Sequence, residues 1–270
     1  MIAVRALVHV YPEGTRALDG VDLAIAAGER VAVVGQNGSG KSTLVRHLNG
    51  LLRPTEGVIR VDNRETAGRR VADLAATVGL AFQDPDRQIF AGKVRDEVAF
   101  GPRNLGLRGT ALDEAVDSAL RATGLDADAA TNPYDLGYSR RKLLALASVL
   151  AMGTPVIVLD EPTTGQDARG VARIQAIVGE LAAAGRTVIA ITHDMRFAAE
   201  SFERIVVMRA GRIVLDGSPA DVFAEESWPT LASTFLEPPL PARLGARLGV
   251  GRTPTEAALV EAIAAGASTR

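Results

Sequence analysis

Short apolar runs and longer helical patterns alternate along most of the chain. Apolar runs bounded by turn residues are typical of buried strands, and they recur at residues 2–10, 21–25, 31–34, 58–61, 78–82, 156–159 and 187–192. Apolar positions with helical spacing occur at residues 44–48, 94–100, 110–123, 139–152 and 169–183, and again from Met195. Because strands that alternate with helices form parallel sheets with both faces covered, the pattern predicts an α/β fold with a mainly parallel sheet.

One stretch interrupts this alternation. Between Asp84 and Leu150 the strand-like runs are replaced by three helical patterns, separated by Gly101-Pro102 and by a loop over residues 126–133. Glycine and proline commonly end helices, so we expect the first helix to stop at Phe100. The pattern predicts a helical insert over residues 84–150 within the α/β core.

The most informative polar stretch follows the apolar run at residues 31–34. It contains three glycines, a lysine and three hydroxyl residues, in the order Gly35-Gln36-Asn37-Gly38-Ser39-Gly40-Lys41-Ser42-Thr43. Glycines let the backbone N–H groups surround an anion, and the N-terminus of the next helix adds partial positive charge. Lys41 would reach the β- and γ-phosphates of a nucleotide, and the Ser42 hydroxyl would bind Mg²⁺. A glycine-rich turn that only joins strand to helix is the alternative interpretation.

Charged side chains also follow two later strands. Asp160 and Glu161 come directly after the run at residues 156–159, and His193 follows the run at 187–192. Ligands of open α/β folds bind at the carboxyl edge of the sheet. There Asp160 would hold Mg²⁺, Glu161 would activate a water, and His193 would contact a γ-phosphate. A helix N-cap for the acidic pair and ordinary packing for His193 remain the alternatives.

Composition narrows the class of protein. The chain has 270 residues, of which 47% are hydrophobic, with a net charge of −2 and no cysteine. That charge provides no general attraction for nucleic acid, and thiolate metal sites and disulfides are excluded. The longest apolar stretch, residues 143–159, is interrupted by Gly153-Thr154-Pro155, and no signal-type leader opens the chain. We expect a soluble intracellular protein that would act at a membrane only through a partner.

Two aromatic positions near the glycine-rich stretch have different interpretations. Tyr11 directly follows the first strand in a chain with only 4% aromatic residues, a position from which it would stack on adenine, although ordinary packing is the alternative. His47 lies within the helix that follows the loop, and we interpret it as structural.

Taken together, the motifs resemble those of the ATP-binding cassette (ABC) family. The order of Tyr11, residues 35–43, Gln83, residues 156–161, residues 164–167 and His193 is similar to the family's A-loop, Walker A, Q-loop, Walker B, D-loop and switch histidine. The resemblance implies a P-loop NTPase with a RecA-like, mainly parallel sheet, an antiparallel β part and a helical insert. It also implies ATP and Mg²⁺, with Gln83 both at the metal and in catalysis, and two cassettes that close head to tail around each ATP.

A narrower resemblance concerns energy-coupling factor (ECF) importers, which take up vitamins or transition-metal ions. It is carried by residues 82–88, by the segment from Glu97 to Leu105, and by a proline-rich tail at residues 238–244 that leads to an amphipathic helix near residues 256–264. It implies a cassette over residues 1–218 and a dimerising appendage over residues 219–270. It also implies a peripheral position at the cytoplasmic face of the cell membrane, with membrane subunits contacted through Gln83 and the segment from Glu97 to Leu105.

Other cassette classes are less compatible with the chain. DNA-repair members need a long coiled coil between the Q-loop and the signature, and translation factors need two cassettes, whereas this chain has one P-loop and only residues 84–135 in that gap. A non-hydrolysing scaffold is disfavoured because Glu161 and His193 are retained. Another class of ABC transporter remains an alternative.

Two segments raise questions that sequence leaves open. Where the family has Leu-Ser-Gly-Gly-Gln, this chain has Leu136-Gly137-Tyr138-Ser139-Arg140, and Gln166 replaces the commoner leucine of the D-loop. Arg140 and Arg141 would compensate if they reached the partner's γ-phosphate. Otherwise a mixed pair with a sibling cassette is favoured over a homodimer.

The second question concerns Val98 and Phe100. Both are hydrophobic and precede the Gly101-Pro102 break, which suggests an apolar face for another subunit. The alternative is that both belong to the core of the helical insert.

Overall fold

The computed structural model describes residues 1–267, and its strands form two sheets. The strands are β1 Ile2–Val10, β2 Arg16–Ile25, β3 Arg30–Val34, β4 Glu56–Val61, β5 Arg64–Glu65, β6 Val78–Ala81, β7 Val156–Asp160, β8 Thr187–Ile191, β9 Arg204–Arg209 and β10 Arg212–Gly217. The six-stranded sheet has the order β10-β9-β3-β8-β7-β6, and the four-stranded sheet has the order β2-β1-β4-β5. All neighbours in the larger sheet are parallel except β10 and β9, and the smaller sheet is antiparallel. The predicted mainly parallel core with an antiparallel part is confirmed.

Helices surround the larger sheet. They are α1 Lys41–Leu48, α2 Val71–Ala75, α3 Val94–Asn104, α4 Gly109–Thr123, α5 Tyr138–Leu150, α6 Ala168–Ala183, α7 Met195–Ser201, α8 Pro219–Val222, α9 Trp228–Ala232, α10 Leu240–Leu248 and α11 Glu256–Ala267. Single 3₁₀ turns lie at Pro85–Arg87, Asp126–Asp128, Pro133–Asp135 and Glu225–Ser227. Within the described residues, no helix has both the length and the apolar character needed to cross a membrane.

The parallel sheet is apolar on both faces. In β8, Val188 and Ala190 pack into a core shared with helices of the insert and the C-terminal half, whereas Ile189 and Ile191 pack into a core shared with α1 and the antiparallel sheet. Successive side chains of a strand point to opposite faces, so a continuous apolar run is needed where both faces are covered. This explains why the central strands are uninterrupted apolar runs in the sequence.

The helical insert is present, but its first helix differs from the expectation. Helix α3 continues through Gly101-Pro102 to Asn104, so the predicted end at Phe100 is wrong. Proline removes only one backbone donor so close to the helix end. Gly101 packs closely against the turn that follows α5, because a Cβ atom there would lie 2.6 Å from the Cγ of Met152.

The structure separates the two apolar residues of α3. Val98 has no exposed surface and belongs to the core, whereas Phe100 is 48% exposed. The prediction of a common apolar face is therefore wrong for Val98, because positions two apart on a helix point in different directions.

The C-terminal part contains two elements that the sequence did not predict. The proline-rich tail enters α10, in which Pro241 occupies the first turn, where a missing N–H group costs little. The hairpin of β9 and β10 was not predicted, and it adds two strands to the larger sheet beside β3.

We predict that Leu144→Ala will strongly destabilise the cassette. Leu144 is fully buried in the middle of α5, and large-to-small changes at such sites cost about 2–5 kcal/mol because a cavity remains. Urea denaturation should show this loss of unfolding free energy, whereas Leu51→Ala, at a position 42% exposed, should stay within about 0.5 kcal/mol. Equal losses in the two variants would contradict the described core.

Candidate functional site

The glycine-rich stretch forms a loop between β3 and α1, as predicted. Gly40 precedes α1 with a left-handed backbone, φ +102°, and a Cβ atom there would lie 2.5 Å from the carbonyl oxygen of Ala17. Only glycine fits this conformation and this close approach. The first N–H groups of α1 have no partner within the helix, so the loop and the helix end form an anion-binding site.

Lys41 bends back over this loop. Its Nζ donates hydrogen bonds to the carbonyl oxygens of Gly35, at 2.7 Å, and Gln36, at 2.9 Å. Burial lowers the pKa of the Lys41 ammonium, and the nearby Glu161 and Asp160 carboxylates partly oppose that effect. A buried cation held only by neutral carbonyls has a strong electrostatic preference for an anion.

Asp160 is the last residue of β7 and lies opposite Ile191 of β8. Its Oδ1 atom is 3.5 Å from the Ser42 hydroxyl, so two of the three predicted metal ligands lie together. Burial raises the pKa of the Asp160 carboxyl, the Ser42 hydrogen bond lowers it, and Glu161 raises it further. A bound cation would reverse the main effect by compensating the buried charge.

Glu161 has a constrained backbone next to Asp160. Its φ is +51°, in the left-handed region that non-glycine residues rarely adopt. Its N–H donates to the carbonyl of Ile191 at 2.9 Å, and its Oε2 accepts a 2.7 Å hydrogen bond from Nδ1 of His193. The Glu161 side chain is nearly buried, whereas the His193 ring is largely exposed. Strained residues of this kind are often found at active sites.

Lys41, Ser42 and Glu161 line one cavity of about 230 Å³, and Asp160 and His193 adjoin it through their contacts with Ser42 and Glu161. Its walls contain glycines, Lys41 and hydroxyl groups of the loop together with the Gln83 and Glu161 side chains, the full set being Asn37, Gly38, Gly40, Lys41, Ser42, Thr43, Gln83, Glu161 and Ile191. Of the other predicted residues, Ser39 is buried beneath the loop, and Gly35 contributes the carbonyl that holds Lys41. The sequence motifs therefore converge on one site.

Tyr11 lies beside the end of the loop. Its hydroxyl is 3.1 Å from Oγ1 of Thr43, and its ring edge packs on His9, with the ring centres 4.6 Å apart. His47 is fully buried, and its Nδ1 bonds to the carbonyl of Thr43 at 2.7 Å. The position of Tyr11 is compatible with the predicted adenine contact, and His47 supports the loop from inside the fold.

The irregular signature opens a helix, as expected, and is bonded to the D-loop. Helix α5 begins at Tyr138, whose ring lies over Gly165, where a Cβ atom would be 2.8 Å from Cε1 of the tyrosine. Ser139 Oγ donates to Oε1 of Gln166 at 2.7 Å, and Nε2 of Gln166 donates to the Ser139 carbonyl at 3.0 Å. Ser139 of the signature and Gln166 of the D-loop, which both depart from the family pattern, are thus each other's hydrogen-bond partners.

Arg140, at the end of the signature, and Arg141, directly after it, both form ion pairs within their own chain. Arg140 forms an ion pair with Asp128, and Nε of Arg141 lies 2.9 Å from a carboxylate oxygen of Asp86. The Arg141 Nη1 atom also donates to the carbonyl of Leu136 at 2.6 Å. In the single chain both guanidinium groups are engaged with carboxylates of their own chain, so each would have to exchange its ion pair to reach a partner's phosphate.

Sequence reasoning missed one charged residue at the site, Lys142. It is only 7% exposed, and its Nζ donates to the carbonyl oxygens of Glu161 and, at 3.1 Å, Thr164. Burial lowers the pKa of the Lys142 ammonium to about 8. A lysine directly before the apolar run at residues 143–147 was the available signal, because unpaired lysines rarely occur inside cores.

Comparison with known proteins agrees with this geometry. The family model described as ABC transporter matches residues 18–164. A relative from Caldanaerobacter subterraneus, named as an ABC transporter ATP-binding protein, is 43% identical over 92% of this chain, but the chain spans only 43% of that relative's length. The energy-coupling factor transporter ATP-binding protein EcfA2 of Symbiobacterium thermophilum is 41% identical over 84% of this chain and 81% of its own.

A solved structure of an ABC transporter subunit has the same fold as this chain. CbiO1 of Clostridium perfringens, described as part of the ABC transporter complex CbiONQ, superposes with a TM-score of 0.76. The two are 36% identical, and the match covers 92% of this chain and 98% of CbiO1. The chain therefore belongs to the ABC transporter family and carries the ATP-binding cassette of that family.

Proposed function

We propose that this chain is the ATP-hydrolysing subunit of an ECF-type importer for a vitamin or a transition-metal ion. The observation that carries the proposal is the single cavity between the glycine-rich loop, with Lys41, and the nearly buried Glu161 carboxylate. The similarity to EcfA2 and CbiO1 supports the importer class.

Nucleotide binding would exchange the present contacts of Lys41 for phosphate. Its Nζ leaves the carbonyl oxygens of Gly35 and Gln36 and pairs with the β- and γ-phosphates, while the loop N–H groups and the N-terminus of α1 donate to the same anion. Tyr11, anchored at Thr43, stacks on the adenine.

Mg²⁺ fits the oxygen atoms available at this site. Ser42, Asp160 and Gln83 offer hydroxyl, carboxylate and amide oxygens, which hard cations prefer. Within residues 1–267, no cluster of three or more His, Asp or Glu residues could hold a metal by itself. Mg²⁺ commonly binds through one or two carboxylates together with the phosphates of a nucleotide. When bound, the ion neutralises charge on the phosphates.

Hydrolysis would be in-line attack of water on the γ-phosphate. Glu161 accepts a proton from the attacking water while the water oxygen bonds to the γ-phosphorus. The bond between the γ-phosphorus and the bridging oxygen of the β-phosphate breaks at the same time. His193 orients the Glu161 carboxylate through the 2.7 Å hydrogen bond, and its exposed ring contacts the γ-phosphate. Lys41 and the loop N–H groups stabilise the charge that develops.

A second cassette would complete the site. The cavity walls contain no signature residue among those the structure describes, so contacts of the kind the family makes through its signature must come from another chain. We assign residues 1–218 to the cassette and residues 219–270 to a dimerising appendage. On α10, three leucines at intervals of four residues remain 62%, 38% and 59% exposed, namely Leu240, Leu244 and Leu248. Such an apolar stripe on one face of a helix suits a partner helix.

The irregular signature favours a mixed pair. Tyr138 occupies the position where the family's glycine allows close approach, and Arg140 and Arg141 are engaged within the chain. Gly137 replaces the family's serine, and loss of a preorganised donor such as that hydroxyl typically costs about 10²–10³ in rate. A sibling cassette with a regular signature would therefore complete this chain's own site better than a second copy of this chain.

The membrane subunits would dock in an apolar groove of about 280 Å³ beside the Q-loop. Phe100 and Phe90 form one wall, with ring centres 4.7 Å apart, and the buried carboxylate of Glu97 holds the N–H groups of Phe90 and Ala91. Leu51 and Val71 extend the apolar surface. A helix from a membrane subunit would fit this kind of groove, and the chain would then lie peripherally at the cytoplasmic face of the cell membrane.

We predict that Glu161→Gln will preserve ATP binding and slow hydrolysis by about 10² or more, because it removes the base but keeps the shape of the side chain. Steady-state phosphate release from the assembled transporter gives the rate, and a fluorescent ATP analogue gives the affinity. Lys41→Ala is the matched control, since loss of its phosphate contact should weaken binding itself. Wild-type turnover of the glutamine variant would remove Glu161 from this role.

Phe100→Asp should abolish transport but keep the basal ATPase activity of the free cassette, because the side chain lies at the groove and not in the core. Val98→Asp, two residues away and fully buried, should instead unfold the protein, since a buried carboxylate would be unpaired. Transport assays in membrane vesicles and thermal melting separate these outcomes. Loss of both activities in a folded Phe100→Asp variant would argue against a docking role.

The mixed pair is tested by titrating this chain with a sibling cassette that has a regular signature. ATPase activity per site should rise by about 10-fold or more over that of the pure chain, since a regular loop then contacts this chain's nucleotide. Full activity of the pure homodimer would contradict the mixed pair, and its loss in Arg140→Ala would restore the arginine hypothesis.

A further inference from the structure

Lys142 is a buried charge that the proposed mechanism leaves without a role. It occupies the fifth position of α5, and the next five residues of the helix, 143–147, are all buried and apolar. Removing an ammonium group from water is costly unless its hydrogen bonds are replaced. Here Nζ has two such bonds, to the carbonyl oxygens of Glu161 and Thr164.

The partner of this ammonium is the peptide group of the most strained residue at the site. Glu161 has a φ of +51°, and such a conformation persists only where the surroundings fix it. Hydrogen bonds on each of its groups fix it here: its N–H donates to the carbonyl of Ile191, and its side chain accepts from His193. Its carbonyl accepts from the Lys142 ammonium and, at 3.3 Å, from the N–H of Thr164. Among these partners, Lys142 is the charged side chain that bonds to the Glu161 backbone, whereas Ile191 and Thr164 contribute neutral peptide groups.

We propose that Lys142 is a positioning residue for the hydrolysis reaction: it holds the Glu161 backbone in its left-handed conformation and so directs the carboxylate toward the attacking water. The inference rests on the proposed role of Glu161 as the base. Lys142 itself does not line the cavity formed by the loop, and it acts on the chemistry only through Glu161.

The same contact connects α5 with the segment after β7. Lys142 lies one helical turn after Tyr138, and its second acceptor, the Thr164 carbonyl, is two residues before Gln166, which Ser139 binds. The first turn of α5 is therefore joined to residues 161–166 at both Ser139 and Lys142. A small displacement of Glu161 is sufficient to affect the rate, because misplacement by 1 Å can cost about 10².

The test compares Lys142→Met with Lys142→Arg in the full-length chain purified as the assembled transporter. Methionine has a similar length and suits an apolar core but lacks N–H donors, whereas arginine keeps both charge and donors. We expect Lys142→Met to lower kcat by about 10-fold to 10²-fold, while the KM for ATP changes by less than about threefold. The kcat of Lys142→Arg should be at least about threefold higher than that of Lys142→Met. Lys93→Met, at an exposed lysine outside the cavity and the groove, serves as the matched control and should keep the wild-type rate.

A double variant distinguishes positioning from a structural role. If Lys142 acts through Glu161, then Lys142→Met should slow the residual activity of the Glu161→Gln variant by less than about twofold, because effects of coupled residues are not additive. An equal fold loss in both backgrounds, a kcat for Lys142→Met within threefold of wild type, or a loss confined to KM would overturn the inference.

Failure of the proposed function has a different signature. Wild-type turnover of Glu161→Gln would remove the base assignment and this inference with it, whereas a strong Glu161 dependence with an active Lys142→Met variant would overturn only this inference. If Lys142→Met does not fold, as judged by thermal melting, Lys142→Gln replaces it with the same expected loss of kcat, since glutamine is too short to reach both carbonyls.

Discussion

Two adjacent carboxylates, Asp160 and Glu161, are nearly buried at the carboxyl edge of β7, and the arrangement of the site depends on how their charge is compensated. Burial of charge is costly unless partners replace the lost water. Lys41 lies near both carboxylates. The Ser42 hydroxyl contacts an oxygen of Asp160, and the His193 ring contacts an oxygen of Glu161. In the proposed mechanism ATP and Mg²⁺ complete this compensation, so the site is preorganised for a charged ligand and for the water that attacks it.

The same elements connect the site with two surfaces. Helix α5 starts at the signature, carries the Lys142 contact to Glu161, and ends near Met152, which lines the apolar groove. The groove continues along β6 to Phe82, the residue before Gln83 at the nucleotide cavity. A cassette that must respond both to a partner cassette and to a membrane subunit needs rigid elements of this kind, because coupling between distant sites passes through packed contacts.

Local signals in the sequence were sufficient for the parallel sheet, the loop at residues 35–43 and the acidic residues after β7, since each depends on neighbours close in the chain. Features fixed by distant residues were not predictable. The contact of Lys142 with Glu161 spans 19 residues, and that of Ser139 with Gln166 spans 27. Val98 and Phe100 look alike in sequence, but packing buries one and exposes the other. The ion pair between Arg140 and Asp128 likewise required the fold.

The central claim is that Lys41, Ser42 and the carboxylate pair form one site for the phosphates of ATP. A crystal structure of the Glu161→Gln chain with ATP and Mg²⁺ tests it most directly. We expect Nζ of Lys41 to have left the carbonyls of Gly35 and Gln36 for the β- and γ-phosphates, with the metal between Ser42, Asp160 and the nucleotide. Nucleotide bound outside this cavity, or Lys41 still bonded to the two carbonyls beside a bound nucleotide, would contradict the claim.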